Sequence, residues 1–421
     1  MKKTVLAYSG GLDTSVLVKI IKEKYDSEVI AVTVDVGQQE NLPKIRKKAI
    51  AIGAVKALII DARHEFADSY IAPALKANAL YEGVYPLATA LARPLIVKKL
   101  VDTAREYSAA YIGHGCTGKG NDQVRFEAAI ACLDPMISVI APVREFGLSR
   151  DYEIEYAHQN NIPVEERLVT YSLDENLWGR SIECGVLENE ACEPPNDAFA
   201  WTLSPFDAPN YAAYLEIEFE AGIPVSLNNK RMLFAELISE LNRIGGLHGV
   251  GRIDHIESRL VGIKSREVYE APAAVILIKA HQDLEKLVLT KDLLHFKPYL
   301  ETTYADMIYN GLWFSPLRNA LSAFFDEGQK NVNGKVIAKL FKGNVNIVGR
   351  ASANSLYIKN LATYQGHDDF DVSSSKGFID IWSLPFKVNA MINNGAKPGN
   401  GNQVHAPENA LENEELLDAA K

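Results

Sequence analysis

The sequence predicts an α/β protein: a parallel twisted sheet with flanking helices, then a second α+β domain and a C-terminal oligomerisation arm. Three observations carry that expectation. Up to about residue 165, short β-branched or apolar runs alternate with amphipathic stretches, the rhythm of parallel strands joined by helical crossovers. Beyond Arg167 the rhythm gives way to hairpin-like strands and longer helices. After Asn393, Gly, Asn, Pro and Glu dominate, and residues 401–421 carry five acids against one lysine, a composition that packs no core. The divisions expected are 1–167, 168–375 and 376–421.

Strands are predicted at residues 4–8, 29–34, 55–60, 109–112 and 137–141. In the first crossover Val16, Leu17, Ile20 and Ile21 share one helical face while Lys19, Lys22, Glu23 and Lys24 point outward, so one side of the helix lies on the sheet. The second part contains a strand at 214–219, a long helix over 230–244 expected to stop at Gly245-Gly246, and a hairpin within 335–348. No internal repeat is present.

Composition excludes several classes. The 421 residues are 47% hydrophobic and 23% charged, with a net charge of −10. That balance argues against a broad nucleic-acid or anionic-membrane surface. Cys116, Cys132, Cys184 and Cys192 form no C-x-x-C pair, disulfide framework or zinc spacing, and are read as reduced thiols in a cytoplasmic protein. The nine histidines show no metal-ligand spacing either, so no bound transition metal is expected. The apolar start is interrupted by Asp13, unlike a signal peptide, and runs such as 273–278 fall short of the roughly 18 residues a membrane span needs.

Two strings carry chemistry. Ser9-Gly10-Gly11-Leu12-Asp13-Thr14-Ser15 lies between the first strand and the first helix, where backbone N–H groups converge at the positive end of a helix dipole. The glycines permit positive φ and close approach to a phosphate, and Ser9, Thr14 and Ser15 add hydroxyl donors. Asp13 would repel a polyphosphate unless it orients the loop or helps hold Mg²⁺. The bland alternative is a glycine-rich turn with Asp13 as N-cap. The second string, Gly-His-Gly-Cys-Thr-Gly-Lys-Gly-Asn-Asp-Gln-Val-Arg-Phe-Glu at 113–127, follows the fourth strand. It therefore shares the carboxyl-end crevice of an open parallel sheet with the first. Thr117, Lys119 and Asn121 suit anionic ends, Asp122 an ammonium and Arg125 a second carboxylate. Taken alone, this string reads better as a solvated turn with Asn121 or Asp122 capping a helix and Arg125 and Glu127 on its wet face. Gly113 to Lys119 is a near miss to the Walker motif, since Gly120 stands where a magnesium-binding hydroxyl is required. G-x-G-x-x-G is missing after the first strand.

The first string resembles the pyrophosphate-binding loop S-G-G-x-D-[ST]-S of the N-type ATP pyrophosphatases. With the second string, and with Tyr-Pro-Leu-Ala-Thr-Ala-Leu-Ala-Arg-Pro at 85–94, Tyr-Ser-Leu-Asp-Glu-Asn-Leu-Trp-Gly-Arg-Ser-Ile-Glu at 171–183 and Glu-Ser-Arg-Leu-Val-Gly-Ile-Lys-Ser-Arg-Glu-Val-Tyr-Glu-Ala-Pro at 257–272, the chain closely resembles the argininosuccinate synthetase family. These ligases join citrulline and aspartate at the expense of ATP.

The resemblance implies an adenine-nucleotide alpha-hydrolase-like nucleotide domain, a synthetase domain and a homotetramer with the C-terminal segment as its arm. It implies that Ala7, Tyr8, Ser9, Gly10, Gly11, Leu12, Asp13, Thr14 and Ser15, with Val34 and Gly115, bind ATP. Citrulline falls to Tyr85, Thr89, Asn121, Arg125, Ser172, Ser181, Glu257 and Tyr269, and aspartate to Thr117, Asn121 and Asp122. Individually Tyr85 and Tyr269 also suit packing tyrosines, and Ser172 and Ser181 turn residues. Val34 departs from the small residue frequent at that position. The implied reaction, in arginine biosynthesis, passes through a citrullyl-adenylate with Mg²⁺ and ATP. It needs no covalent side-chain nucleophile, since holding three substrates in line is worth roughly 7–11 kcal/mol in well-oriented models.

Overall fold

The computed structural model describes residues 2–163, 171–364 and 370–395, in two compact units, Met1–Leu356 and Tyr357–Lys421. The expected boundary at 167/168 and the acidic tail at 401–421 lie outside the described residues.

The first unit opens with five parallel strands: β1 (Lys2–Ala7), β2 (Ser27–Asp35), β3 (Lys56–Asp61), β4 (Tyr111–Gly113) and β5 (Ser138–Ile140). They are ordered β3-β2-β1-β4-β5. Each expected strand is present. Alternation along β1 sends Val5 to one face and Leu6 to the other, and both are fully buried, because helices cover both faces of a parallel sheet. Helix α1 (Leu12–Tyr25) buries Val16, Leu17, Ile20 and Ile21 on the Leu6 side. Helix α2 (Ala88–Glu106) buries Leu91 and Leu95 on the Val5 side. Each such leucine contributes about 1.5–3 kcal/mol relative to exposure.

Nine strands follow: β6 (Ser172–Asn176), β7 (Gly179–Glu183), β8 (Ala213–Glu220), β9 (Ile223–Leu227), β10 (Lys230–Arg231), β11 (Arg252–Ser258), β12 (Lys264–Glu270), β13 (Gly334–Phe341) and β14 (Asn344–Ala351). They make two antiparallel sheets, β10-β9-β8-β13-β14 and β11-β12-β7-β6. In β8, Leu215, Ile217 and Phe219 are buried while Tyr214, Glu216 and Glu218 are not, the two-residue period of a half-covered strand. The expected hairpin is β13–β14.

The expected helix over 230–244 is corrected. Lys230 and Arg231 form a short strand against β9, and the helix runs Phe234–Leu247, through Gly245 and Gly246. Those glycines serve packing. A Cβ on Gly246 would stand 2.0 Å from the Trp201 carbonyl oxygen, and one on Gly245 would stand 2.8 Å from Pro272 Cβ. Tertiary approach here outweighs the roughly 1 kcal/mol that glycine costs a helix.

The second unit contains helices Ser374–Trp382 and Leu384–Asn393, neither of which has a buried residue. Its apolar side chains, Phe378, Ile381, Trp382 and Phe386 among them, are exposed.

Candidate active site

Strand order reverses between β1 and β4, and an open α/β sheet offers its ligand crevice at the carboxyl ends of the strands beside such a point. Both chemistry-bearing strings emerge there. The first turns into α1 with Gly11 as N-cap in extended conformation, so Asp13 is a first-turn residue and not the cap. Gly10 alone uses positive φ, at 82°, and a Cβ on it would stand 2.9 Å from Ile45 Cγ1. Local hydrogen bonds hold the loop open: Gly11 N–H donates to Ser9 Oγ at 3.3 Å, and the Ser9 and Thr14 hydroxyls meet at 3.2 Å. Lys48 Nζ donates to the Gly10 carbonyl at 2.8 Å. Beneath it, the buried carboxyl of Glu153, on the helix Arg150–Gln159, is pushed up to about 8 by burial and by the neighbouring Asp13 carboxylate.

The second string lies against the first, with Leu17, Thr14 and Asp13 around Gly115. Its turn is fastened by Gln123, whose Nε2 donates to the Gly118 and Gly120 carbonyls at 2.6 and 3.2 Å. Helix α3 (Asp122–Leu133) begins here. Asn121 precedes α3 but its side chain caps nothing: Nδ2 donates to Tyr309 Oη at 2.8 Å, and Oδ1 accepts from Leu260 N–H at 2.8 Å. Arg125 is buried, not on a wet face. Asp122 joins two guanidiniums, at 2.8 Å to Arg93 Nη2 and 3.0 Å to Arg125 Nη1. Burial alone would raise the Asp122 carboxyl, but these cations outweigh it and bring the group to about 2.

Facing this helix, Tyr85 and Tyr269 stack at 4.1 Å between ring centres. The Tyr85 hydroxyl accepts Thr89 N–H at 2.9 Å, across a turn in which buried Leu87 takes φ of 65° to start α2. A non-glycine residue there costs about 1–3 kcal/mol, a strain that clusters at functional sites. Glu257 accepts from Tyr269 at 2.7 Å and from Tyr309 at 2.5 Å. Ser181 and Ser172 sit on the paired strands β7 and β6.

All the site residues implied by the resemblance except Gly10 and Ser15 line one cavity of about 700 Å³. Ser15 is fully buried, with its hydroxyl 3.3 Å from that of Tyr8, and Gly10 is half-buried. Lys119 is exposed and lies off the lining.

Several lining residues escaped the sequence reading, namely Arg93, Asp174, Glu183, Arg259 and Glu267. Arg93 had a signal, because a cation inside the apolar run of α2 needs a buried anion; it pairs with both Asp122 and Asp174. Arg259 bridges Glu183 and Glu267 at 2.9 and 2.7 Å. Burial and the neighbouring Glu183 push Glu267 up to about 8. Glu40 rises to about 7 through burial and the nearby Glu175 and Asp174. Among the described residues no three His, Cys, Asp or Glu side chains gather as a metal site.

The wall therefore has one end of amides and hydroxyls, suited to phosphates, and another of paired charges and tyrosines, suited to amino acids, a division that fits a ligase activating one substrate with a nucleotide. Comparison with known proteins gives the class its name: residues 3–163 match the arginosuccinate synthase N-terminal HUP domain. Residues 171–389 match the arginosuccinate synthase C-terminal domain. The chain is 57% identical over 382 residues to argininosuccinate synthase of Pyrococcus furiosus, covering 91% of this chain and 93% of the relative. It is 54% identical to that of Streptococcus uberis, covering 93% and 98%, and 56% identical to that of Halalkalibacterium halodurans, covering 94% and 97%. The chain belongs to the argininosuccinate synthase family.

Proposed function

We propose that this chain condenses L-citrulline with L-aspartate, consuming ATP and releasing AMP and pyrophosphate. The meeting of the two loops at the reversal of strand order carries this reading, since it puts a phosphate-binding bend and an amino-acid wall in one cavity. The ureido carbon of citrulline is a poor electrophile. Its oxygen attacks the α-phosphorus, the bond from that phosphorus to the bridging oxygen breaks, and pyrophosphate leaves. The aspartate amine then attacks the activated carbon, loses a proton, and AMP departs with the oxygen.

Residues 9–15 and the α1 N-terminus bind the departing phosphates, where fixed N–H dipoles stabilise developing negative charge without reorganisation. Val34 and Gly115 border the adenosine. Tyr85, Thr89, Asn121, Arg125, Ser172, Ser181, Glu257 and Tyr269 hold citrulline, and Thr117, Asn121 and Asp122 hold aspartate; all of them line the cavity. Because Asp122 is already paired with Arg93 and Arg125, its contribution is a fixed, charge-balanced surface. Positioning is the whole protein contribution, with no side-chain nucleophile.

Asp13, on the cavity wall beside the loop, fits Mg²⁺, which takes one or two carboxylates plus substrate phosphate oxygens. The ion, when bound, neutralises charge on the phosphates. For assembly, the exposed apolar side chains of the 374–393 helices support an arm that docks on other copies in a homotetramer. The free thiols of all four cysteines suit a cytoplasmic enzyme, and among the described residues no helix is long and apolar enough to cross a membrane.

Pyrophosphate release tests the activity: none with ATP alone, release on adding citrulline, and sustained turnover on adding aspartate. Release that ignores citrulline overturns the reading. Mass measurement of the full chain against a form ending at 356 tests the arm, with loss of the tetramer expected.

A further inference from the structure

Tyr309 ends the helix α4 (Lys291–Tyr309), is fully buried, and does not line the cavity. Yet it touches three residues that do. Its hydroxyl accepts from Asn121 Nδ2 at 2.8 Å and donates to Glu257 Oε1 at 2.5 Å. Its backbone carbonyl, one of those a helix C-terminus leaves without an intrahelical partner, accepts from Arg125 Nε at 2.9 Å. The Arg125 guanidinium also lies 4.8 Å from the centre of its ring, within cation–π range. The ring also stacks on Tyr81, at 3.5 Å and 5°. Tyr81 in turn donates to the Ser258 carbonyl beside Glu257 at 2.7 Å.

The chemistry of the hydroxyl is specific. An amide NH₂ only donates and a carboxylate only accepts, so the group between them must do both. Phenylalanine would leave a buried carboxylate oxygen and an amide N–H without this partner. The bond also fixes the Asn121 amide: Oδ1 is taken by Leu260 N–H, Nδ2 by Tyr309, and flipping the amide would lose both. Behind Arg125, Gly311 at φ of 76° leaves no room for a Cβ, which would stand 2.9 Å from Arg125 Cα. The end of α4 is thereby seated on the backbone of α3.

We infer that Tyr309 is a positioning residue for the citrulline subsite: its hydroxyl and carbonyl lock Asn121, Arg125 and Glu257 into one rigid unit without touching the substrate. The inference rests on the proposed function.

Tyr309→Phe keeps the ring stack and deletes one oxygen atom. The expected result is a citrulline KM raised about tenfold or more, the order expected for a lost hydrogen bond to a charged group, with the ATP KM within about twofold of wild type. Combined with Glu257→Ala, the two effects on citrulline KM should fall well short of multiplying, since both remove the Tyr309–Glu257 contact. Replacing Tyr309 by p-aminophenylalanine, which restores a donor toward Glu257, should recover part of the citrulline KM, and it supplies the readout if Tyr309→Phe does not fold. An unchanged citrulline KM, equal rises for citrulline and ATP, or fully multiplying effects overturn the inference. Wild type that releases pyrophosphate without citrulline instead overturns the activity itself, so the two failures are distinguishable.

Discussion

The two ends of the cavity are built on opposite plans. The phosphate end is a contiguous bend whose shape is set by one positive-φ glycine and by hydrogen bonds among residues at most five apart, with Lys48 as an outside clamp. The amino-acid end is assembled from α2, α3, β6, β7, β11, β12 and the end of α4, and its central contact joins residues 188 apart in the chain. In the proposed function the first would bind through backbone dipoles and tolerate loss of a side chain. The second would bind through buried charges that satisfy one another, where removing one member leaves the rest uncompensated.

The largest effect should therefore come from the amino-acid end. Arg125→Ala strips Asp122 and the Tyr309 carbonyl of a partner. It should lower kcat/KM for citrulline by about 3 kcal/mol, on the order of a hundredfold, and the ATP KM much less. Comparable losses for both substrates would erase the distinction between the ends. Next, Gly10→Val forces a branched side chain into positive φ against Ile45. Its cost should be about 2 kcal/mol, some thirtyfold in kcat/KM for ATP, with citrulline affinity retained in equilibrium binding. Ser9→Ala removes only neutral loop contacts, with Gly11 N–H and the Thr14 hydroxyl, and should cost about 1 kcal/mol, roughly fivefold, in the same ATP kinetics.

A separate comparison, of stability and not of kinetics, lies in pH dependence and sets the buried acid at one end against that at the other. Glu153 under the phosphate loop and Glu267 on the amino-acid wall both titrate near 8, against 4.5 when unfolded. Between those values the native state binds more protons than the unfolded one, so stability falls as pH rises and the loss is complete above about 8. Glu153→Gln should flatten this slope in thermal midpoints measured from pH 5 to 9. A midpoint that falls equally steeply in the variant would show that Glu153 is not the group responsible.

The same contrast explains what could be read before any coordinates. The bend at 9–15 and the parallel strands were legible because both are local: a glycine-hydroxyl string beside a β-branched run carries its own geometry. The stops at Gly245-Gly246 misled because those glycines answer to Trp201 and Pro272, which no local pattern reveals. Thr117, Asn121, Asp122 and Arg125 could be read as a charged, polar loop, but alone they also suited a solvated helix start. Tyr85, Ser172, Ser181, Glu257 and Tyr269 were reached only through resemblance, being ordinary side chains until the fold brings them together. Arg259 and Tyr309 stayed hidden because their meaning lies wholly in long-range pairing, and Arg93 offered only the local hint of a cation within an apolar run.

The most direct test of the account is the identity of the nucleotide product. With ATP, citrulline and aspartate present, the purified chain should form AMP and pyrophosphate in equal amounts with argininosuccinate. Formation of ADP and orthophosphate instead would mean that the bend at 9–15 does not direct cleavage to the α-phosphorus, and would contradict the account.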